Sequence, residues 1–136
     1  MSALTSADQA GAAQTLRRII AAWADNDADA FAAVCAEDAT LVLPGDVYLK
    51  GRAAIRDFMA AGYQGPYKDS RVFGEPLDVK FVSDDVCVLV TQGGVLMPGE
   101  TKVSDEQAIR ATWVLSRQDA EWLITAYHNS NVNISS

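Results

Sequence analysis

The chemistry available to this 136-residue chain centres on one residue: His128 is its single histidine, and the only side chain whose ordinary titration lies near neutrality. It is therefore the natural candidate for a general acid or base. No carboxylate lies beside it in sequence to orient the ring, so a hydrogen-bonded wall residue is the competing reading. Ser130, two residues on, can complete a polar pocket end on the same strand face. Trp23, Trp113, Phe58, Met59, Leu43 and Tyr48 offer an apolar, aromatic lining, although each taken alone reads as ordinary core packing. Together they suit a flat, unsaturated, poorly charged ligand held in orientation by a few polar groups. Asp46 and Arg71 fall in loops that border a mouth or simply carry surface charge.

Other chemistries find little footing. Gly94 to Thr101 has the spacing of a phosphate-binding loop, but Glu100 stands at the lysine position and would repel phosphate. Those glycines fit a bulge and a turn better. One histidine and two distant cysteines, Cys35 and Cys87, give no zinc-type spacing, so no metal and no cofactor are expected. No G-x-G-x-x-G follows a strand and no G-x-S-x-G is present. Neither cysteine has a basic flank that would activate its thiol. Asn133-Ile134-Ser135 matches a glycosylation acceptor, which carries no weight without a secretion signal.

The elements that must position these residues are legible from periodicity. Ser6 and Gln9 have capping-box spacing, and Ala12, Leu16, Ile19, Ile20 and Trp23 recur at helical intervals up to Asp25-Asn26-Asp27. Asp27 can cap a short second helix that buries Phe31, Val34 and Cys35. Ala39 to Leu43 reads as a strand closed by Pro44-Gly45, and Tyr48 to Lys50 as a short edge strand. Gly51 leads a third helix with Ile55, Phe58 and Met59, ended by Gly62. The loop from Gly62 to Ser70 carries Tyr63 and Tyr67, which could cover an opening.

From Val72 the period becomes two. Leu77, Val79 and Phe81 share one face, and Ser83-Asp84-Asp85 turns the chain into Val86 to Thr91. Gln107 to Arg117 and Glu121 to Ile134 form a second hairpin. If Gln118 pairs with Glu121 and the strands are regular, Leu115 faces Ile124, Trp113 faces Ala126, Ala111 faces His128 and Ile109 faces Ser130. The inward face is then Ile109, Ala111, Trp113, Leu115, Trp122, Ile124, Ala126 and His128. Arg110, Thr112, Val114, Leu123, Thr125 and Tyr127 point outward. Helices on one face of a curved antiparallel sheet make an α+β fold.

Composition bounds the function classes. The 49% hydrophobic and 21% charged content is that of a globular chain, and one domain over residues 1–136 is the expectation. The net charge of −7 and the lack of a Lys/Arg cluster disfavour nucleic acid and anionic lipid as partners. The longest apolar run, Val86 to Val90, is far shorter than the roughly 20 residues that span a bilayer. Met1 to Ala12 has neither a basic start nor an apolar core, so a cytoplasmic protein with reduced thiols is expected.

Four segments carry a family resemblance: Ala22-Trp23-Ala24-Asp25-Asn26-Asp27-Ala28, Glu37-Asp38-Ala39-Thr40-Leu41, Leu49-Lys50-Gly51-Arg52-Ala53-Ala54-Ile55 and Trp122 to Ser130. They resemble the nuclear-transport-factor-2-like, or SnoaL-like, superfamily over nearly the whole chain. Arg110-Ala111-Thr112-Trp113 through Asn129-Ser130, with Gly93-Gly94 and Pro98-Gly99-Glu100, are most similar to its SgcJ/EcaC group of enediyne and other polyketide biosynthetic proteins. The resemblance implies a cone-shaped fold (cystatin-like, three helices on a curved sheet) with a pocket between the layers. It also implies a homodimer formed through the outer sheet face. Matching to the superfamily's ketosteroid isomerases puts Leu43, Ile19 and Ala111 where those enzymes keep a catalytic aspartate, a phenol and a second acid. That chemistry is therefore not expected, and the three become pocket-wall candidates. The same matching puts His128 at a pocket-lining position.

Three functions remain open on this reading. One is a cofactor-independent, cyclase- or isomerase-like auxiliary enzyme acting on a hydrophobic polyketide or polyene intermediate, with His128 as acid or base. The second is a non-catalytic carrier of such a ligand, and the third an accessory subunit of a polyketide synthase. Fold alone does not choose between them.

Overall fold

The computed structural model describes residues 6–44, 46–104, 108–119 and 121–132. The Ser6/Gln9 cap side chains, residue 107 at the start of the second hairpin and the segment 133–136 lie outside what is described.

Helix α1 (Ser6–Ala24) presents Ala12, Leu16 and Ile19 to the interior, at the expected helical spacing. Its Thr15 hydroxyl donates to the Trp122 carbonyl at 2.7 Å, tying the helix to the sheet. Asp27 caps α2 (Ala28–Ala33) as its sequence position suggests, its carboxylate accepting the Ala30 N–H at 3.0 Å. Helix α3 (Arg52–Gln64) buries Ile55 and Met59. It does not stop at Gly62. That residue lies inside the helix, where an added Cβ would come 2.6 Å from the Tyr67 ring, so the glycine is a notch for that ring rather than a terminator.

The strands are β1 (Cys35–Leu43), β2 (Val47–Lys50), β3 (Arg71–Ser83), β4 (Val86–Leu96), β5 (Ile109–Gln118) and β6 (Glu121–Asn131). They form one sheet in the order β2-β1-β6-β5-β4-β3. All neighbours are antiparallel except β1 and β6, which run parallel. The helices cover one face of the sheet, and Leu16, Ile19, Ile55, Met59, Leu89, Leu115 and Ile124 meet there in a common core. The α+β arrangement expected from periodicity is the observed one.

One local feature reverses part of the expected facing. Gln118 pairs with Glu121 and Leu115 with Ile124 as anticipated, but Val114 then pairs with Ala126 rather than with Thr125. The extra residue is a β-bulge, and beyond it every side chain of β6 changes face. Tyr127, Asn129 and Asn131 turn inward; Ala126, His128 and Ser130 turn out. The parallel partner strand shows the same parity. Tyr127 pairs with Leu41, which is 3% exposed, and His128 with Val42, which is 38% exposed. Tyr127 is therefore not an outer-face residue. Leu123 is also buried, so two of the three apolar side chains expected on the outer face are not displayed there. Val42, Tyr48 and His128 take their place, in one row with Thr112 and Val90.

The Gly93-Gly94 pair lies within β4, not in a loop. Gly93 pairs with Gly74 of β3, and an ideal Cβ on Gly93 would lie 1.8 Å from the Phe73 carbonyl oxygen. Only glycine permits the two strands to approach so closely. After β4, Pro98-Gly99 turns the chain, and the Glu100 carboxylate accepts the Met97 N–H at 2.7 Å, a structural role for the residue that spoils the phosphate-loop motif.

Candidate functional site

Between the helices and the sheet lies a cavity of about 430 Å³, within the range of small-molecule sites. Its helical wall is Leu16, Ile19, Ile20 and Trp23 of α1 with Phe58 and Met59 of α3. Leu41 and Leu43 of β1, Val72 of β3, Val95 of β4 and Trp113 of β5 form much of the sheet wall. Six residues singled out from sequence, Ile19, Trp23, Leu43, Phe58, Met59 and Trp113, are thus brought together around one space. Ala111 is buried on the inward face of β5, opposite Asn129, without lining the cavity.

Three sequence candidates are elsewhere. Tyr48 stands on the outer face opposite Val42 and is 64% exposed. His128 and Ser130 are exposed on that same face because the bulge in β6 has turned them away. The inward placement of His128 inferred from regular alternation is corrected accordingly, and with it the geometric basis for an acid or base role in the cavity.

In their place the bulge delivers Tyr127, Asn129 and Asn131 to the cavity wall. Tyr127 packs edge-to-face on Trp113, with ring centroids 4.7 Å apart. The Trp113 indole N–H donates to the Thr91 hydroxyl at 3.0 Å, which fixes the indole. Asn129 Nδ2 donates to Tyr127 Oη at 2.9 Å. Burial pushes the Tyr127 phenol up to about 12, a rise partly countered by that bond from Asn129. The phenol is neutral at physiological pH.

The opposite wall is also locked. Trp23 Nε1 donates to the Ser70 hydroxyl at 2.8 Å, and that hydroxyl donates to the Tyr67 carbonyl at 2.6 Å. Asn26 adds bonds to the carbonyls of Trp23 and Ser70 and accepts the Asp69 N–H. Tyr67 lies against Trp23 at 5.2 Å and lines the cavity, as a covering residue would. Tyr63 sits behind, buried and edge-on to Trp23 at 5.6 Å. Both cavity tryptophans spend their N–H groups within the protein, so they offer a ligand their ring surfaces.

Among the described residues, the cavity lining includes no carboxylate, histidine, lysine or arginine. No three His, Cys, Asp or Glu side chains of the described residues gather as a metal ion would need. Burial pushes the Cys35 thiol up to about 12 and raises Cys87 as well, so neither is a thiolate nucleophile at neutral pH. The wall can pack against a ligand and hydrogen-bond to it; it presents no group that exchanges a proton readily near neutrality.

No helix among the described residues is long and apolar enough to cross a membrane. The architecture has many solved counterparts. A domain of unknown function with a cystatin-like fold from Nostoc punctiforme superposes with a TM-score of 0.87 at 27% identity, covering 96% of this chain and 81% of that one. An NTF2-like protein from Novosphingobium aromaticivorans gives 0.79 at 21%, covering 95% and 84%. A cystatin-like protein from Caulobacter vibrioides gives 0.78 at 17%, covering 93% and 90%. A search of curated proteins finds no match. The family model for the SnoaL-like domain matches residues 12–135. With a helix-covered curved sheet, an apolar cavity between the layers and a family match over nearly its whole length, this chain belongs to the SnoaL-like domain family of the cystatin-like, or NTF2-like, fold.

Proposed function

We propose that the protein binds a neutral, largely apolar small molecule in this cavity, and that the ligand is a polyketide or polyene intermediate of natural-product biosynthesis, the enediyne type included. One observation carries the reading: a 430 Å³ space walled by Trp23, Phe58, Met59, Trp113 and Tyr127 has an aromatic interior without a charged lining residue among those described. A flat unsaturated skeleton gains most from such walls, whereas a charged ligand would lose its hydration without compensation. Binding or carriage is favoured over catalysis because His128, the group suited to proton transfer, faces away. The carbon skeleton itself is assigned from the resemblance to the SgcJ/EcaC group.

The proposal includes a homodimer formed through the outer sheet face, supported by Tyr48 and Val42 standing exposed there beside Val90 and Thr112. It also includes a cytoplasmic setting, supported by two free, buried cysteines. The test is titration of the purified protein with diphenylhexatriene, a neutral polyene that fluoresces when removed from water. Saturable binding at one site per chain, weakened in Leu43→Trp, which fills the cavity margin, is expected. A folded protein with no saturable signal would remove the proposal.

A further inference from the structure

Six large apolar side chains are exposed among the described residues, and four of them, Phe73, Leu77, Val79 and Val82, stand on β3, each 45% exposed or more. β3 is the last strand of the sheet and runs for 13 residues, so the side away from β4 is a long row of backbone groups without a strand partner among the described residues. The other terminal strand, β2, has only 4 residues. A long edge with exposed apolar side chains is a template for a further strand.

The order of side chains along this edge says which strand fits it. In the first half of β3, Phe73 and Glu75 pair with Gly94 and Gln92 on the outer side of the sheet, and Gly74 pairs with Gly93 on the inner side. The register shifts between Pro76 and Asp78. Beyond the shift, Asp78 and Lys80 pair with Val90 and Val88 on the outer side, while Val79 and Phe81 pair with the buried Leu89 and Cys87. The two halves of the strand are therefore out of step by one residue, and the slip falls at the middle of the strand. Two copies of β3 laid antiparallel, with Leu77 of one opposite Asp78 of the other, then match face to face at every pair. On the outer side Phe73 meets the partner's Val82 and Glu75 meets the partner's Lys80. On the inner side Gly74 meets the partner's Phe81 and Pro76 meets the partner's Val79.

This register is chemically selective. Opposite charges meet twice about a two-fold axis, an aromatic ring meets a β-branched side chain, and the largest inward residue meets a glycine. A slip of two residues one way sets Glu75 against the partner's Asp78; the same slip the other way sets Glu75 against Val82 of the partner subunit and Lys80 against the partner's Leu77. Glu75 and Lys80 form no ion pair with any other described residue of their own chain, so both charges are free for such a contact. A proline, a lysine and a bulge ordinarily guard an edge against indiscriminate pairing. On β3 the bulge and the lysine also select a partner, because they are satisfied by their own copies.

We infer that the free edge of β3 is a self-recognition surface, which pairs antiparallel with β3 of a second copy of this chain about a two-fold axis at Leu77 and Asp78 and joins two six-stranded sheets into one. The occupant is identified by charge complementarity and by the position of the slip. The contact lies at the sheet edge, separate from the outer-face contact proposed above, and it does not depend on what fills the cavity.

The experiment is sedimentation velocity at neutral pH and low salt on the full chain, with the wild type, Glu75→Lys, Lys80→Glu and the double variant carrying both, each shown to be folded by its melting curve. Each single reversal sets like charges opposite each other twice, so the association should weaken about tenfold or more and the assembly should fall to half its mass. The double variant restores the opposite-charge pairs and should recover the wild-type mass. As a check on the geometry, the double variant Glu75→Cys/Lys80→Cys should give a covalent dimer on mild oxidation, whereas Glu75→Cys alone should not, because two copies of position 75 lie about 15 Å apart in this register. An assembly indifferent to both single reversals overturns the edge pairing and leaves the face contact standing. Weakening in the single variants without recovery in the double, or no covalent dimer on oxidation, overturns this register and the inference with it. A monomeric wild type overturns the edge pairing and the face contact together.

Discussion

Replacing Gly93 by alanine tests the close approach of β3 and β4 that shapes the sheet wall of the cavity. The new methyl would lie 1.8 Å from the Phe73 carbonyl oxygen, 2.6 Å from its carbon and 2.9 Å from Gly74 Cα, where ordinary contact begins at 3.4 Å. All three neighbours are backbone, so no side chain can swing aside; the strands must part by about 1.6 Å at this point. A ladder hydrogen bond stretched by that much is lost. Two such bonds, at about 1 kcal/mol each, and an overpacking cost of about 1–3 kcal/mol give a total near 3–5 kcal/mol. With a urea m-value of about 2 kcal/mol/M, the unfolding midpoint should fall by roughly 1.5–2.5 M. Gly74→Ala is the matched control, because its Cβ would meet Leu16 at 3.7 Å and Thr91 at 4.0 Å, both ordinary contacts. Its midpoint should stay within about 0.5 M of wild type, equivalent to about 1 kcal/mol at the same slope. Urea melts followed by tryptophan fluorescence distinguish the two. A Gly93→Ala protein as stable as Gly74→Ala would refute the packing argument.

Tyr63→Phe should leave thermal stability unchanged or raise it by about 1–3 kcal/mol, because the Tyr63 hydroxyl is buried with no partner among the described residues; a clear drop in the melting temperature would show that the hydroxyl is satisfied after all. Alkaline pH should destabilise the fold. Tyr127 and Cys35 hold their protons more tightly when folded, each pushed up to about 12 by burial, so their contribution is complete below their unfolded values near 10.0 and 9.0 and is lost as pH rises toward 12. The part of the tyrosinate absorbance that belongs to Tyr127 should then appear together with unfolding rather than ahead of it, and ionisation of all four tyrosines in a still-folded protein would contradict the burial of Tyr127. His128→Gln should change the stability of the chain by no more than about 0.5 kcal/mol and leave ligand affinity within about twofold, because the side chain faces away from the cavity; loss of ligand binding in a folded variant would return His128 to the cavity.

Much of the site was legible from the chain alone, because helices and strands announce their buried faces by period. The spacing of Leu16, Ile19 and Trp23 set one wall, Phe58 and Met59 a second, and the alternation that turns Ile109 and Trp113 inward a third. Asp27 announced a helix start by its chemistry. The reading of β6 failed for a specific reason. Trp122, Ile124, Ala126 and His128 alternate as regularly as Leu123, Thr125 and Tyr127, so nothing local marks the residue at which the strand slips. That slip depends on partners distant in sequence: β6 must pair with β5 on one side and lie parallel to β1 on the other. It lets a tyrosine ring, rather than the Ala126 methyl, fill the space against Trp113 and Leu41, and it leaves the titratable imidazole in water. Periodicity thus determined the layers, the helical wall and the apolar character of the cavity. The tertiary structure alone decided which side chains of the last strand enter it, because a bulge is selected by the packing energy of neighbouring strands and not by the propensities of the residues that form it.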